Sequence, residues 1–564
     1  MKTNWLLLVV GWALVLGGGY LAHAIQTSGG VTIEDVRFPL DEGRELSGLL
    51  YTPANATAET PAPGILAVHG YINSRETQSG FAIEFARRGY VVLAMDQVGH
   101  GFSDGVAIEP GAGFGGPAGL AYLRSLPQVD TDRIGLEGHS MGGWTVLAAA
   151  SSDPDGYRSL VLAGSSVGAP FAAPGTTEFP RNTAVIFSEY DEFAPLMWGV
   201  TEAADVENSD KLKALFGTDA PVVEGEVYGS IDEGTGRRLT TPLTTHPGDH
   251  LSTEAIGDAV AWMNMTLRDG DVAATAADDQ IWYWKEIGTL IALLGGVLVV
   301  LGTFDLLIAL PWFSSVALPG DGAQARASLI WWISLAVAAT IPAATYFPLV
   351  AWGARFTGLE LFPQNITNQI LTWALGNGLI AIIFAAIAFR RGNEGGLLKK
   401  LVAAVLSVGM LYLAVIVLDV AFKADMRFWV VALKPLGPNH LAAFLAYLVP
   451  FTAFFYISQR ALHATLSLIG AGGLAQYATG FVATAGGFLV MVAGIYIWLF
   501  ATGAVPSFAD ALFSIVAMQF VAVLAIVGLI AVFTWRRTNG PLSGALICGL
   551  FVTWYIVAGQ ATHV

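Results

Sequence analysis

Residues 135–151 read GLEGHSMGGWTVLAAAS and place Ser140 between glycines, just before an alanine-rich run. Two interpretations fit this stretch: a nucleophilic serine on a tight turn, or a seam of small residues inside a membrane helix. Four charged residues lie between positions 130 and 137, directly before the serine. Charged side chains are costly inside a bilayer, so they argue against the membrane seam. The stretch therefore predicts a strand, a G-x-S-x-G turn and a helix, with Ser140 exposed at the turn.

The region around this turn alternates between short apolar runs and longer amphipathic ones. The strand-length runs are rich in Val, Ile and Leu, and they include GILAVHG at 64–70, DRIGLEGHS at 132–140 and NTAVIFSEYD at 182–191. Near-continuous apolar strands that alternate with helices are typical of a mostly parallel sheet covered by helices on both faces. The sequence therefore predicts an α/β fold for this region.

Charge divides the chain into two parts. Residues 26–281 carry 36 acidic and 14 basic side chains, whereas the whole chain has a net charge of −16, a hydrophobic content of 54% and a mean hydropathy of +0.58. An acidic domain repels polyanions, so we expect no nucleic-acid partner.

The single cysteine, Cys548, excludes an intrachain disulfide and a cysteine-based zinc site. We expect neither a metal nor a cofactor.

Long apolar stretches predict an all-α, multi-pass membrane portion. Residues 1–27 form an N-terminal anchor, with a cleaved signal peptide as the alternative, because the apolar run is longer than a usual signal core. Residues 28–268 form the α/β domain, 269–284 a linker and 285–564 a membrane domain of about eight helices. The predicted spans lie near 287–310, 329–351, 370–389, 400–421, 440–457, 480–502, 511–535 and 541–559. The Gly- and Ala-rich segment 464–479 is interpreted as non-spanning.

The distribution of basic residues predicts which side each loop occupies. With Lys2 inside, nine Lys or Arg residues fall on the inner side, including those of the loop RRGNEGGLLKK at 390–400. Four fall on the outer side, apart from the large domain: Arg355, Lys423, Arg427 and Lys434. The positive-inside rule then predicts a multi-pass cell-membrane protein whose α/β domain lies outside the cytoplasm.

Three motifs resemble the α/β-hydrolase superfamily in the order and spacing usual for it. They are the run ILAVHGY at 65–71, the stretch DQVGHGFSDG at 96–105, and the Ser140 turn. The second is similar to serine aminopeptidases and monoacylglycerol lipases. The short segment VGAPFAAPGTTEFPRN at 167–182, before the apolar run that leads to Asp191, is more like that of esterases and dienelactone hydrolases. The resemblance covers roughly residues 30–268 and implies an α/β hydrolase fold; the membrane part resembles no family that we recognise.

The resemblance implies a Ser-His-Asp triad. Ser140 would be the nucleophile, and Asp191, which follows an apolar run and precedes Pro195, would be the acid. Two histidines in HPGDHL at 246–251 can supply the base. We assign His250, because it lies closer to the family position before the final helix, with His246 as the alternative.

The oxyanion hole and two further histidines follow from the same motifs. The backbone amides of Tyr71 and Met141 would hold the developing oxyanion, since such a hole needs two N–H donors near the nucleophile. His69 and His100 are expected to brace their loops rather than react.

The sequence thus predicts a membrane-anchored serine hydrolase that cleaves an ester or amide through an acyl-enzyme. Its partners would be a small-molecule, lipid or peptide acyl substrate and the membrane lipids. The alternative is a transporter or lipid-handling membrane protein in which the hydrolase-like domain is a binding or gating module. An intact triad favours the enzyme, because a binding module does not need all three residues.

Overall fold

In the computed structural model, the residues described are 5–268, 275–318, 329–387, 395–466 and 473–564. They form a helix at the N-terminus, an α/β domain and a bundle of long helices. The strands of the α/β domain are β1 (Thr32–Asp41), β2 (Arg44–Thr52), β3 (Ala62–Val68), β4 (Val91–Met95), β5 (Val129–His139), β6 (Ser159–Ala163), β7 (Thr183–Ile186), β8 (Val227–Tyr228) and β9 (Arg237–Thr240).

These nine strands form one sheet in the order β1-β2-β4-β3-β5-β6-β7-β9-β8. The central strands β4, β3, β5, β6, β7 and β9 are parallel, whereas β1, β2 and β8 add antiparallel edges. Strands β8 and β9 form an antiparallel hairpin at one end of the sheet. Because the carboxyl ends of parallel strands meet at one edge, the loops after β3, β5 and β7 converge there.

Helices cover both faces of this sheet, which confirms the α/β fold. The helices up to the end of the domain are α1 (Trp5–Gln26), α2 (Ser79–Ala86), α3 (Gly116–Ser125), α4 (Met141–Ser152), α5 (Ala194–Met197), α6 (Asp210–Phe216) and α7 (Thr253–Leu267). Helices α2 and α7 pack their apolar side chains on one face, and α3 and α4 pack theirs on the other.

The remaining helices are long and apolar. They are α8 (Trp282–Ala309), α9 (Leu329–Ala344), α10 (Tyr346–Gly353), α11 (Asn365–Ile387), α12 (Leu397–Phe422), α13 (His440–Leu466), α14 (Gly473–Phe481), α15 (Gly487–Thr502), α16 (Ala511–Thr538) and α17 (Leu542–Gly559). Within the described ranges, eight helices including α1 are long and apolar enough to cross a membrane, or nine if the bent pair α9–α10 is one span. These positions match the predicted spans.

The described part of segment 464–479 is divided between the end of one helix and the start of another. Residues 464–466 end α13, and residues 473–479 begin the continuous helical span Gly473–Thr502. The positions between them, like Arg390 and Arg391 of the basic loop, lie outside the described residues.

Helix α1 packs closely on α8 along a seam of small residues. A Cβ atom on Gly18 would lie 2.4 Å from the carbonyl oxygen of Gly288, and one on Gly11 would lie 2.9 Å from that of Gly295. Small side chains let helix backbones approach closely in a membrane. The N-terminal helix therefore packs as a member of the bundle.

The α/β domain contacts one end of this bundle. Lys423 pairs with Asp35 at 2.5 Å, and the backbone of Thr562 exchanges hydrogen bonds with Gly99 and Ala107. At the opposite end, Lys399 binds Ser315 at 3.0 Å and Arg537 binds Asp305 at 2.5 Å. The bundle is therefore docked end-on against the edge of the sheet where the active-site loops converge.

Candidate active site

Ser140 lies on the sharp turn between β5 and α4. It has φ +56° and ψ −123°, a strained conformation for a residue with a side chain. The flanking glycines allow the turn to pack: a Cβ on Gly138 would lie 2.3 Å from the oxygen of Gly142, and one on Gly142 would lie 2.1 Å from that of Val68. The turn presents the serine at the carboxyl edge of the sheet, as the G-x-S-x-G pattern predicts.

A short parallel bridge brings the acid and a histidine together. Tyr190 pairs with Thr245 in this bridge, and Asp191 and His246 are the next residues of the two segments. The Nδ1 of His246 donates to Oδ2 of Asp191 over 2.8 Å, and the other carboxylate oxygen accepts the backbone N–H of Phe193, also at 2.8 Å. This geometry fixes the His246 ring with its Nε2 free to act on a proton.

His250 does not contact Asp191. Neither of its ring nitrogens has a hydrogen-bond partner, and its ring packs against those of His139, at 4.1 Å between centroids, and Phe81, at 6.1 Å. The structure therefore pairs Asp191 with His246, the alternative that the sequence left open, and not with His250, which the sequence analysis assigns as the base. His250 still lines the pocket in front of the serine.

Glu192, to which the sequence assigned no role, binds the backbone of His246. Its carboxylate is buried, and it accepts the backbone N–H of His246 at 2.9 Å and the hydroxyl of Tyr496 from α15 at 2.6 Å. Burial raises the pKa of Glu192 to about 7, and the charge of Asp191 adds to this shift. The Glu192 carboxylate thereby connects a helix of the bundle to the loop that carries His246.

The His246 side chain is suited to act as a base at neutral pH. Burial lowers its pKa below the usual value of 6.5, although the charges of Glu192 and Asp249 partly oppose this effect. A lowered pKa keeps the imidazole neutral at pH 7, and a general base must be neutral before it can accept a proton.

The two amides assigned to an oxyanion hole lie beside the serine. Tyr71 and Met141 line the same pocket as Ser140. A Cβ on Gly70 would lie 3.0 Å from the Cβ of Ser140, which shows how closely the loop after β3 approaches the nucleophile. The hydroxyl of Tyr71 is engaged elsewhere, at 2.8 Å from Nε2 of His563 near the C-terminus.

His69 and His100 are buried and hydrogen-bonded to backbone atoms. Nε2 of His69 accepts the N–H of Gln97 at 3.1 Å, and Nδ1 of His100 lies 3.0 Å from the oxygen of Val98. Burial lowers the pKa of each to about 3, so both stay neutral. These contacts match the expected bracing role.

The pocket above Ser140 has a volume of about 240 Å³ and lies between the two parts of the molecule. Its inner walls are mostly apolar and include Trp144, Phe171, Phe193 and Leu196 from the α/β domain. Its outer wall comes from the bundle and consists of Trp429, Val430, Leu512, Ile515 and Gln519. Sequence reasoning missed this wall, because no local pattern shows that a membrane loop folds over a serine more than 280 residues away.

Trp429 and Val430 form the tip of a small hairpin between α12 and α13. The hairpin consists of β10 (Met426–Phe428) and β11 (Val431–Leu433), and Trp429 has φ +52°. The indole Nε1 of Trp429 donates to the backbone oxygen of Pro247 at 2.7 Å. The bundle thus makes a direct hydrogen bond to the loop that carries His246.

Within the described residues, no group of three or more His, Cys, Asp or Glu side chains is arranged to hold a metal ion. At this pocket the structure brings together the Ser140 turn, the His246 ring and the Asp191 carboxyl group.

Residues 59–195 match the family model described as serine aminopeptidase, S33. The chain is 33% identical over 124 residues to the quorum-quenching protein AidA of Acinetobacter baumannii, covering 21% of this chain and 40% of that protein. It is 24% identical over 253 residues to the esterase YjfP of Escherichia coli, covering 40% of this chain and 98% of YjfP. The matched part thus spans less than half of AidA but almost all of YjfP.

Among solved structures, the dienelactone hydrolase of Anabaena variabilis is similar over 42% of this chain and 99% of its own, with 18% identity and a TM-score of 0.29. None of the matches described here extends over the membrane bundle as a whole.

Proposed function

The α/β domain places this chain in the α/β-hydrolase superfamily, and on that premise we propose that it is a membrane-bound serine hydrolase that cleaves esters of apolar acyl groups. Ser140 is the nucleophile, His246 the general base and Asp191 the residue that orients it. The bundle anchors the domain and forms the outer wall of its pocket.

The observation that carries this proposal is the hydrogen bond between Asp191 and His246 beside the strained serine turn. A module that only binds or gates has no need of a buried acid–histidine pair at a nucleophile elbow. The pair thus favours the enzyme over the transporter or lipid-handling alternative.

The reaction follows from the roles of these three groups. His246 takes the proton of the Ser140 hydroxyl as its oxygen bonds to the substrate carbonyl carbon, and the amides of Tyr71 and Met141 hold the oxyanion. His246 then protonates the leaving alcohol as the ester bond breaks. Water, activated by the same histidine, releases the acid and restores the serine.

The apolar walls of the pocket favour an acyl group over a peptide or a charged substrate. Burying an unpaired charge against such walls would cost several kcal/mol. The bundle meets the α/β domain at this pocket and supplies part of its apolar lining, which also suits an apolar substrate.

We place the α/β domain outside the cytoplasm. The contacts of Lys423 with Asp35, and of His563 with Tyr71, put the loop after α12 and the C-terminus at the same end as this domain. The positive-inside rule then assigns the opposite end, which carries Arg536, to the cytoplasm.

The test is the substitution Ser140→Ala in the full-length protein. Hydrolysis of p-nitrophenyl butyrate should fall by roughly 10⁴-fold or more, because the residual rate would come from binding and the oxyanion hole alone. The control is Ser166→Ala, a buried serine that does not line this pocket. Activity of Ser140→Ala within tenfold of the unmodified protein would reject Ser140 as the nucleophile.

A further inference from the structure

Three cavities follow one another along helix α16, beginning at the catalytic pocket. The catalytic pocket, of about 240 Å³, reaches Gln519 on this helix. The next residue, Phe520, lines a second cavity of about 20 Å³ together with Val523 and Leu524. Leu524 also lines a third cavity, of about 190 Å³, which continues past Val527 to Ala531.

Shared or hydrogen-bonded side chains lie between each cavity and the next. The second and third share four wall residues: Trp373, Phe454, Phe455 and Leu524. At the other end, the hydroxyl of Tyr555, which lines the second cavity, donates to the amide oxygen of Gln519 at 3.3 Å. Protein interiors are close-packed and hold few voids, so a row of three on one helix is unusual.

We propose that this row is the binding site for a long, unbranched acyl chain of the substrate, held by the membrane bundle while its carbonyl lies at Ser140. This inference rests on the proposed function and names its substrate class: long-chain acyl esters. The second cavity is lined by apolar and aromatic residues apart from the Tyr555 hydroxyl, so a hydrocarbon chain is stabilised there and a polar group would be desolvated without a partner.

The dimensions agree with a long chain. From Ile515 in the catalytic pocket to Ala531 in the third cavity, α16 advances sixteen residues, or about 24 Å at 1.5 Å per residue. The second cavity is a narrow neck, and an acyl chain passes through it when the rings of Phe520 and Tyr555 turn aside. Because this cavity has a volume of only about 20 Å³, we expect it to admit a single linear chain and to exclude branched or bulky acyl groups.

The chemistry at Ser140 is unchanged by this site. The serine oxygen bonds to the acyl carbonyl carbon, the alcohol leaves with the proton carried by His246, and the chain stays in the bundle as the acyl-enzyme. Water then cleaves the acyl-enzyme and the free acid leaves toward the lipid.

The direct test uses a fluorophosphonate with a long alkyl chain that ends in a photoreactive diazirine. The full-length protein in detergent is labelled, irradiated, digested and mapped by mass spectrometry. We expect one adduct at Ser140 and a cross-link from the chain end to α16, α11 or α13, within 520–531, 373–381 or 454–462. Cross-links confined to the α/β domain, such as 171–197, would overturn the acyl-chain site but leave the hydrolase proposal intact. Failure to label Ser140 at all would overturn both.

A single substitution should affect the hydrolysis of long-chain and short-chain esters differently. Val527→Trp fills the third cavity and should lower kcat/KM for p-nitrophenyl hexadecanoate by about tenfold or more, with hydrolysis of the butyrate ester unchanged. Leu529→Trp is the matched control on the same helix, because Leu529 lines none of the three cavities. Equal effects on the long and short esters would contradict the proposal, and the cross-link map of the unmodified protein decides the matter if the variant does not fold.

Discussion

At the scale of single residues, the pairing of Asp191 with His246 determines which histidine is the base. His246→Ala should lower kcat for p-nitrophenyl butyrate by roughly 10⁴-fold or more, since the serine then has no base. The double variant Ser140→Ala/His246→Ala should be little worse than either single variant, because the two residues serve one step. Steady-state hydrolysis measures all three.

His250→Ala is the matched control, four residues away in the same loop. It removes a pocket side chain that has no hydrogen-bond partner, so we expect a loss of less than about tenfold, mainly in KM. If His250→Ala proved inactive and His246→Ala active, the base would be His250 after all.

The pH dependence of the reaction should reflect the lowered pKa of His246. Burial lowers the pKa of His246, so its neutral form persists to lower pH than that of an exposed histidine. The acidic limb of kcat/KM should therefore have its midpoint below pH 6.5, with a plateau at neutral pH. A midpoint above pH 7, measured with a substrate that has no ionisable group, would contradict this environment.

The sequence predicted Ser140 as the nucleophile and Asp191 as the acid, but it assigned the base to His250, whereas the structure pairs Asp191 with His246. The glycines around Ser140 and the strand before Asp191 are local signals that a pattern can carry. The choice of His246 depends on the bridge between Tyr190 and Thr245, which sets two segments side by side that are 55 residues apart. Sequence spacing within HPGDHL holds no information about that bridge.

At the scale of elements, the hairpin of β10 and β11 holds the catalytic loop. Trp429→Phe keeps an aromatic ring at the tip but removes the N–H that binds the oxygen of Pro247. A single hydrogen bond of this kind contributes about 0.5–1.5 kcal/mol, so kcat/KM should fall by roughly two- to tenfold. Trp352→Phe, in a half-exposed tryptophan on α10, is the control. An unchanged rate in Trp429→Phe would show that the hairpin only covers the pocket.

Most elements were predictable from periodicity, and this hairpin was not. The apolar runs gave the strands and the membrane helices close to their observed positions, because each buries a continuous apolar surface. The strands β10 and β11 have only three residues each, too few to show an alternating pattern. Their position is set by contacts with the α/β domain, such as that of Arg427 with Thr77 at 2.9 Å.

At the scale of the whole molecule, the two ends of the bundle should lie on opposite sides of the membrane. The native Cys548 is buried, so single introduced cysteines can be read against a low background. Asp205→Cys, exposed on the α/β domain, should react with a membrane-impermeant maleimide in intact cells. Ser314→Cys, exposed at the opposite end, should react only after permeabilisation. The reverse pattern would put the catalytic site in the cytoplasm.

The proposed mechanism depends on a serine that is activated only by His246. The most direct measurement is fluorophosphonate labelling of the full-length protein in membranes, followed by peptide mapping of the unmodified chain and of the His246→Ala and His250→Ala variants. We expect an adduct on Ser140 in the unmodified chain and in His250→Ala, with labelling nearly abolished in His246→Ala. An adduct on another serine, or equal labelling of all three proteins, would contradict it.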